Sequence, residues 1–424
     1  MKSIRHMETE APGAYPPLSR GSQGWAARRP TRKKGGRGDS PPPICVDGPL
    51  NPPHSPFCKG GGRGAQRSGH GIFLLCALAL LGMTAFPLRA ADVLHLYNWN
   101  NYISPQTIER FEESCACKVV QDYYSDNEEM LAKLAAGATG YDILVPTGNA
   151  VDALIRQGAL RPIDKGVLPN LKNIAPAYLN TPFDPANRYS VPYAYTLTLI
   201  GYNEQKMKEL GLPTDTWAVI FEPKYLAKVK GRVTVLDSQR ELMAAALKYL
   251  GYSANDTDEA HWNQAKKLII RAKPYWAAFN ASSYIKELTI GNIWLAHGYS
   301  NDMFQAALDA KKAGRPFAIG SSIPREGAVL SLDSMVLHKT GPRPDLAHRF
   351  INFMLEGRNS AELTNLIGSG NPNTDAMQYV RPEVARNAAV FPAPEQLARL
   401  EMLKDLDRSK RRVLSRMWTE IKLR

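Results

Sequence analysis

The chain has few of the residue clusters that mark a metal site or a catalytic nucleophile. Its five cysteines stand at 45, 58, 76, 115 and 117, so only two lie beyond residue 91. A structural zinc site needs four ligands, and Cys115 and Cys117 have no further Cys or His beside them. In an oxidising compartment the two could pair or stay buried, but a bridge across one residue would be strained, so no disulfide is assumed. No triad spacing stands out, and no cofactor is expected.

A strong charge of one sign is also missing from most of the chain. The formal net charge is +13, but residues 1–91 hold 13 basic and only 4 acidic residues. The rest of the chain therefore carries a net charge of only +4. A nucleic-acid-binding protein of this size would be expected to carry its basic excess on the folded part, so no nucleic-acid partner is predicted.

The sequence has a single long hydrophobic run, from Ile72 to Phe86. It is shorter than the roughly 20 residues of a membrane-spanning helix, follows a basic residue and ends in small residues. This layout predicts a secretory signal over 69–91, with cleavage after Ala90 or Ala91, and therefore a periplasmic protein. An uncleaved signal anchor is the alternative.

Residues 1–68 are rich in proline, glycine and arginine and have no apolar periodicity. Such a composition cannot bury enough apolar surface to offset the entropy of ordering. We expect either a disordered leader or a start codon assigned too far upstream.

From residue 92 on, short apolar strands alternate with amphipathic helices. "DVLHLYNW" alternates as a strand does, and "SPQTIERFEESCA" has Ser104 as a helix N-cap and Pro105 at the first helical position. "KVVQDYY" and "YDILVP" are further strands. The alternation predicts an α/β fold with mainly parallel sheets flanked by helices.

Two long extended segments, 189–203 and 327–339, interrupt this alternation. Each is long enough to leave one lobe and enter another, which predicts two hinge crossings between two lobes. Lobes of this size are expected to work as a monomer. We expect residues 92–194 and 331–368 in the first lobe, and residues 195–330 and 369–424 in the second.

Aromatic and acidic side chains follow the ends of the predicted strands. Open α/β sheets bind ligands beyond the carboxyl ends of their strands, so these positions hold the candidates. They are Trp99, Asn100 and Tyr102, then Thr147, Asp237, Glu241, Tyr299 and Asp302, and finally Ser331 and Asp333 in the second long segment. Aromatic faces attract cations and pack methylene groups, while carboxylates bind ammonium groups. The set predicts a small, linear amine with more than one positive charge.

Several of these residues also have a purely structural interpretation. Trp99 and Tyr102 are residue types that are often simply buried, and Asp237 is placed to cap the helix that opens at Ser238. Asp333 is harder to explain in this way, because an unpaired carboxylate in an apolar strand is costly.

Seven segments occur in order and with nearly constant spacing between Leu94 and Lys422. They are "LHLYNWNNYI", "AAGATGYDILVPTGN", "VPYAYTLTLIGYN", "VLDSQRELMAAALKYLG", "GNIWLAHGYSNDMFQA", "SIPREGAVLSLDSMVL" and "MWTEIK". Together they resemble the periplasmic polyamine-binding proteins of bacterial ABC importers, with the nearest likeness to the putrescine-binding branch. The resemblance implies a type II periplasmic-binding clamshell that closes on a polyamine and then docks on a membrane permease.

The resemblance also implies roles for single residues. Trp99 and Tyr102 match aromatic positions of the family's binding box. Glu241, Asp302 and Asp333 match the carboxylates with which the family binds ammonium groups.

Four positions differ from the usual family residue. Thr147 stands where a serine is usual, and Tyr299 stands where tryptophan is frequent. Ser331 replaces a Trp or Phe, and Ser369 in "GSGNPNTD" replaces a tyrosine. The two serines remove part of the aromatic wall, so we expect a diamine or polyamine ligand other than plain putrescine.

Two other functions fit parts of the pattern. An amine sensor would close on its ligand in the same way and report to a receptor instead of a permease. A group-transfer enzyme on the same fold would need a nucleophile in the cleft, and Cys115 and Cys117 lie at the opposite end of a strand. We predict a binding protein rather than an enzyme.

Overall fold

The computed structural model describes residues 92–124 and 126–423. The leader expected at 1–68 and the secretory signal expected at 69–91 lie outside these residues. Across the two described ranges, no helix combines the length and the apolar character that a membrane crossing requires.

Strands and helices alternate along the described chain, as predicted. The strands are β1 Asp92–Trp99, β2 Cys117–Tyr124, β3 Ile143–Leu144, β4 Leu160–Arg161, β5 Ser190–Asn203, β6 Val233–Val235, β7 Ala278–Phe279, β8 Leu295–Tyr299, β9 Ile319–Ser322 and β10 Leu330–His338. The helices are α1 Pro105–Cys115, α2 Asn127–Ala135, α3 Gly148–Arg156, α4 Glu204–Leu210, α5 Ala218–Phe221, α6 Pro223–Leu226, α7 Gln239–Tyr249, α8 Glu259–Ala272, α9 Tyr284–Thr289, α10 Ser300–Lys312, α11 Pro344–Met354, α12 Gly357–Ile367, α13 Pro382–Ala385, α14 Pro394–Leu397 and α15 Arg408–Leu423.

The strands form one mixed sheet in the order β2-β1-β3-β10-β5-β8-β6-β7, with β4 paired to β10 and β9 paired to β5. β1 is parallel to β2 and β3, and β6 is parallel to β7 and β8. The first lobe is built on the former group and the second lobe on the latter. The predicted α/β fold with mainly parallel pairing in each lobe is confirmed.

The two parallel groups are joined by the long strands β5 and β10, which run antiparallel to each other. β5 pairs with β10 along its first half, from Ser190 to Leu197, and with β8 and β9 along its second half. β5 therefore belongs to both lobes. These are the two extended segments that the sequence predicts as crossings.

A β-bulge interrupts the pairing of β10 with β5 between Asp333 and Ser334. Asp333 also forms a bridge to Thr147, which precedes α3. Bulges change the direction of neighbouring side chains, and this one lies at the residue that the sequence identifies as the least easily explained by structure alone.

Helix α1 begins as predicted, because the Ser104 side chain accepts a hydrogen bond from the amide of Thr107. It ends at Ala116, whose φ of 51° is in the left-handed region. This residue reverses the chain and brings the Cα atoms of Cys115 and Cys117 to 5.1 Å, where the two cysteines form a disulfide. The disulfide that was not assumed from the sequence is therefore present, because a left-handed turn at Ala116 supplies the close approach.

The segment after α12 is joined by side-chain contacts to several distant parts of the chain. Thr374 donates a hydrogen bond to the carbonyl of Asn173, and Asn371 donates to the carbonyl of Ser360. Asn173 precedes β5, and Ser360 lies in α12. Further along the chain, Glu401 pairs with Lys248 of α7.

Candidate functional site

A cavity of about 880 Å³ lies at the carboxyl ends of the parallel strands. Its walls come from the loops after β1, β3, β6 and β8 and from β10 itself. Ten of the eleven residues predicted from the sequence line it, namely Trp99, Asn100, Tyr102, Thr147, Asp237, Glu241, Tyr299, Asp302, Ser331 and Asp333. Eight of them lie at or beyond the end of a strand of the same sheet, where the strand-end rule places a site, whereas Ser331 and Asp333 lie within β10.

Asp333 is the most fully enclosed acid of the first-lobe wall, with 5% of its surface exposed. Its two carboxylate oxygens accept hydrogen bonds of 2.6 Å from the Tyr102 hydroxyl and of 2.6 Å from the Thr147 hydroxyl. Burial raises the pKa of Asp333 to about 6, although both hydrogen bonds lower it. Within the described residues no cationic side chain pairs with this carboxylate, so it favours the arrival of a cation from outside.

Two acids of the second lobe occupy the first turns of their helices. Asp302 in α10 accepts a hydrogen bond from the Tyr284 hydroxyl, and burial raises its pKa. Glu241 in α7 is 7% exposed and accepts a hydrogen bond of 2.6 Å from Thr198. Burial also raises the pKa of Glu241, while the Thr198 hydrogen bond and the Arg240 charge lower it. Hydroxyl donors thus hold these carboxylates in fixed orientations.

The aromatic wall is fixed by hydrogen bonds to one carbonyl. The Trp99 indole donates to the oxygen of Val145 at 2.9 Å, and the Tyr124 hydroxyl donates to the same oxygen at 2.6 Å. The Trp99 and Tyr124 rings lie 4.6 Å apart, and the Trp99 and Tyr102 rings lie 6.4 Å apart. Trp99 packs against the core on one side and faces the cavity on the other, so it is not simply a core residue.

The amide side chains near Trp99 shape the turn that follows β1. The Asn98 side chain is buried and accepts a hydrogen bond from the Trp99 amide at 2.9 Å. Asn101 adopts a φ of 56°, in the left-handed region that asparagine tolerates. Asn100, in the same turn, lines the cavity.

The alternative interpretation of Asp237 as a helix cap is wrong, and the predicted site residue Ser369 lies outside the cavity. Asp237 does not cap α7, because Ser238 is the N-cap and accepts from the Glu241 amide. The Asp237 carboxylate instead pairs with Lys422 at 2.7 Å. Ser369 does not line the cavity: its side chain is fully buried, and the next residue, Gly370, pairs with Tyr195 through backbone hydrogen bonds.

Several cavity and supporting residues carry no local sequence signal. Tyr284 in α9 donates to Asp302 and accepts a hydrogen bond of 3.1 Å from the Tyr299 amide, so it holds two candidates at once. Phe183 lines the cavity and lies so close to Gly148 that an added Cβ would be 2.3 Å from its ring. A glycine directly after Thr147 is the one signal that a close approach occurs there.

The family follows from a match of residues 106–393 to the model of the bacterial extracellular solute-binding proteins. The chain belongs to this family. It is a binding protein of the periplasm rather than an enzyme, as predicted.

Named relatives agree with this assignment over most of their lengths. A putrescine/cadaverine-binding protein of Pseudomonas aeruginosa is 57% identical over 350 residues, which cover 82% of this chain and 99% of the relative. The putrescine-binding periplasmic protein PotF of Escherichia coli is 35% identical over 356 residues, covering 82% and 96%. The solved spermidine/putrescine ABC transporter substrate-binding protein PotD of Streptococcus pneumoniae superposes with a TM-score of 0.71 at 27% identity, covering 78% and 99%. The type II periplasmic-binding clamshell is confirmed.

Proposed function

We propose that this protein captures a short linear diamine, putrescine or cadaverine, in the periplasm and delivers it to an ABC importer. The observation that carries the proposal is a set of three carboxylates on the wall of one cavity: Asp333 and Glu241, which are buried, and Asp302, which is half-buried. Burial raises the pKa of each of them, which marks carboxylates that an external cation would stabilise.

In the proposed complex one ammonium group binds Asp333 and the other binds Asp302 and Glu241. Tyr102 and Thr147 already donate one hydrogen bond to each oxygen of Asp333 and hold its carboxylate in a fixed orientation. Trp99, Tyr102 and Tyr299 pack the methylene chain between the two ends. Closure of the lobes excludes water and strengthens each charged contact.

The membrane partner in this proposal is the permease of an ABC importer, which recognises the closed form. The names of the relatives support it, because they include substrate-binding proteins of spermidine/putrescine ABC transporters. The protein would work as a monomer, without nucleic acid and without a cofactor.

The lobe boundaries are part of the proposal. We assign 92–194 and 331–368 to the first lobe and 195–330 to the second, as expected from the sequence. Residues after 369 divide between the lobes, with the first part on the first lobe and the part from about Glu401 on the second. The hydrogen bonds of Asn371 and Thr374 and the Glu401–Lys248 ion pair support this division.

Ser331 supports a ligand longer than putrescine. It lines the cavity with a small side chain, where an aromatic ring was expected from the resemblance. The room that it leaves fits the extra methylene of cadaverine, and one relative is named for both diamines.

Calorimetry on the purified protein, freed of carried-over ligand, tests the function. Putrescine, cadaverine, spermidine, spermine and agmatine would be titrated in turn. We expect micromolar or tighter binding of a diamine, with cadaverine bound at least as tightly as putrescine. If the folded protein binds none of the five amines, the proposed function is refuted. Selective binding of putrescine would refute only the role of Ser331.

A further inference from the structure

The ammonium group of Lys422, near the end of α15, lies among one carboxylate and two aromatic rings. Its Nζ is 2.7 Å from Oδ1 of Asp237. It is also 4.1 Å from the ring centroid of Phe279 and 5.3 Å from that of Trp418. A carboxylate combined with aromatic faces is the setting in which an ammonium ligand would be held. The Lys422 side chain thus occupies a position whose surroundings suit the ammonium group of a ligand.

This filled site borders the ligand cavity, because Asp237 and Trp418 both line it. Asp237 lies at the cavity edge, with 41% of its side chain exposed. It therefore differs from the inner acids in both position and pairing.

The inner acids line the same cavity as Tyr299. The pKa of Tyr299 is raised by burial and then by the negative charges of Glu241, Asp302 and Asp333. Asp237 lines the same cavity, so we expect a longer amine that satisfies these acids to reach its carboxylate. The cavity volume of about 880 Å³ is near the upper end of the roughly 300–1,000 Å³ that holds drug-sized ligands, so space alone does not exclude a longer amine.

We propose that Lys422 occupies, from within the chain, an outer ammonium subsite and thereby restricts the cleft to diamines. The proposal rests on the diamine function above. A triamine such as spermidine carries a third ammonium group that needs its own acceptor. Asp237 is already paired with a tethered ammonium, which competes at a high effective concentration. The pairing of Asp237 with Lys422, rather than the cavity volume, then limits the number of ammonium groups on the ligand.

Replacing Lys422 by methionine or glutamine opens the subsite and leaves its surroundings in place. The helix end stays anchored, because Lys273 donates hydrogen bonds of 2.9 Å and 2.7 Å to the carbonyls of residues 421 and 422. The readout is the ratio of the spermidine to the putrescine association constant, measured by calorimetry for each folded variant. The ratio removes the part of the gain in cation affinity that both amines share, and a control variant that loses a distant positive charge measures the extra gain of the trivalent amine.

The chain offers a matched control on the same helix. Lys410 pairs with Glu259 at 3.2 Å and lies 5.9 Å from the Trp262 ring, but none of these three residues lines the cavity. Lys410→Met therefore removes the same charge from the same kind of environment. Lys422→Arg keeps the charge at the subsite and serves as the conservative variant.

We expect Lys422→Met and Lys422→Gln to raise the spermidine-to-putrescine ratio about tenfold, the size of one new charged contact. Lys422→Arg should leave the ratio unchanged, and Lys410→Met should change it far less than the Lys422→Met and Lys422→Gln variants do. Adding Asp237→Asn to Lys422→Met should remove the gain, because the subsite then lacks its carboxylate.

Three outcomes would overturn the proposal. The first is a wild-type protein that binds spermidine as tightly as the diamines. The second is a ratio that stays within about twofold in both folded Lys422 variants, while the wild type still binds diamines. The third, an absence of any diamine binding by the wild type, would refute the proposed function and the subsite with it, and so is distinguishable from the second.

Discussion

Asp333 and Asp237 are two aspartates on the wall of one cavity, and they are in opposite electrostatic states. Asp333 is 5% exposed and is held only by hydroxyl groups, whereas Asp237 is 41% exposed and is neutralised by Lys422. The same residue type is therefore ready for an external cation at one position and already satisfied at the other. A carboxylate in a cleft indicates an ammonium site only when its own chain has not supplied the cation.

The largest expected effect comes from the inner member of this pair. Asp333→Asn keeps the shape of the side chain but removes the charge, and we expect diamine affinity to fall about a hundredfold or more. The folded state should persist, because a buried carboxylate with a raised pKa is costly to the unliganded protein. Calorimetry together with thermal unfolding measures both properties. Asp215→Asn, at a carboxylate that is 60% exposed and pairs with Arg325, is the control; equal losses in the two variants would contradict the assignment.

The aromatic wall beside Asp333 is expected to contribute the next largest effect. Trp99→Ala removes a cation–π face and the hydrogen bond to Val145, and diamine affinity should fall about ten- to a hundredfold. Trp99→Phe should recover part of this loss. Unchanged affinity in a folded Trp99→Ala protein, measured by the same titration, would refute the role of the ring.

Binding should depend on pH through the inner carboxylate. The pKa of Asp333 in the free protein is about 6, above the ordinary value, so protonation below that pH competes with the ammonium group. Diamine affinity should fall about tenfold between pH 7.5 and pH 5. For the unliganded protein the sign is opposite, because a raised pKa makes the folded state more stable when the carboxyl is protonated and less stable as the pH rises through 6.

Asp333→Asn supplies the control for this pH dependence. The variant should bind weakly but with little change in affinity between pH 7.5 and pH 5. A full tenfold change that persists in the variant would assign the titration to Asp302 or Glu241 instead.

The smallest expected effect concerns the support of the second-lobe acid. Tyr284→Phe removes the hydroxyl that donates to Asp302 and accepts from the Tyr299 amide, and affinity should fall about three- to tenfold. Tyr252→Phe, which removes a hydrogen bond of 3.2 Å to Gln264 outside the cavity, should leave affinity unchanged. A loss in both variants would mean that the effect reflects general stability.

The sequence predicted the cavity well because the site follows from local rules. Trp99 ends β1, and Thr147, Glu241 and Asp302 follow other strands within a few residues. A parallel sheet gathers such positions at one edge. The prediction failed at Ser369, where no strand sets the register of the loop.

Long-range partners left no local signal. Lys422 is 185 positions away from Asp237 in sequence, and Tyr284 lies in a short helix whose pattern gives no reason to expect a contact with Asp302. The sequence also left open whether Cys115 and Cys117 pair, because their close approach depends on the left-handed conformation of Ala116, which alanine rarely adopts.

Because strand β5 is shared between the lobes, the proposed hinge lies beside the candidate site. Asp333 faces Ala194 on this strand, and Thr198 pairs with Tyr299 only a few residues further on. Groups near a hinge move little when the lobes rotate, whereas groups at the outer ends of the lobes move far. In the proposed function, an ammonium group held by the inner acids lies close to this hinge, and a small rotation there would displace the outer ends of the lobes enough for the proposed membrane partner to recognise the closed form.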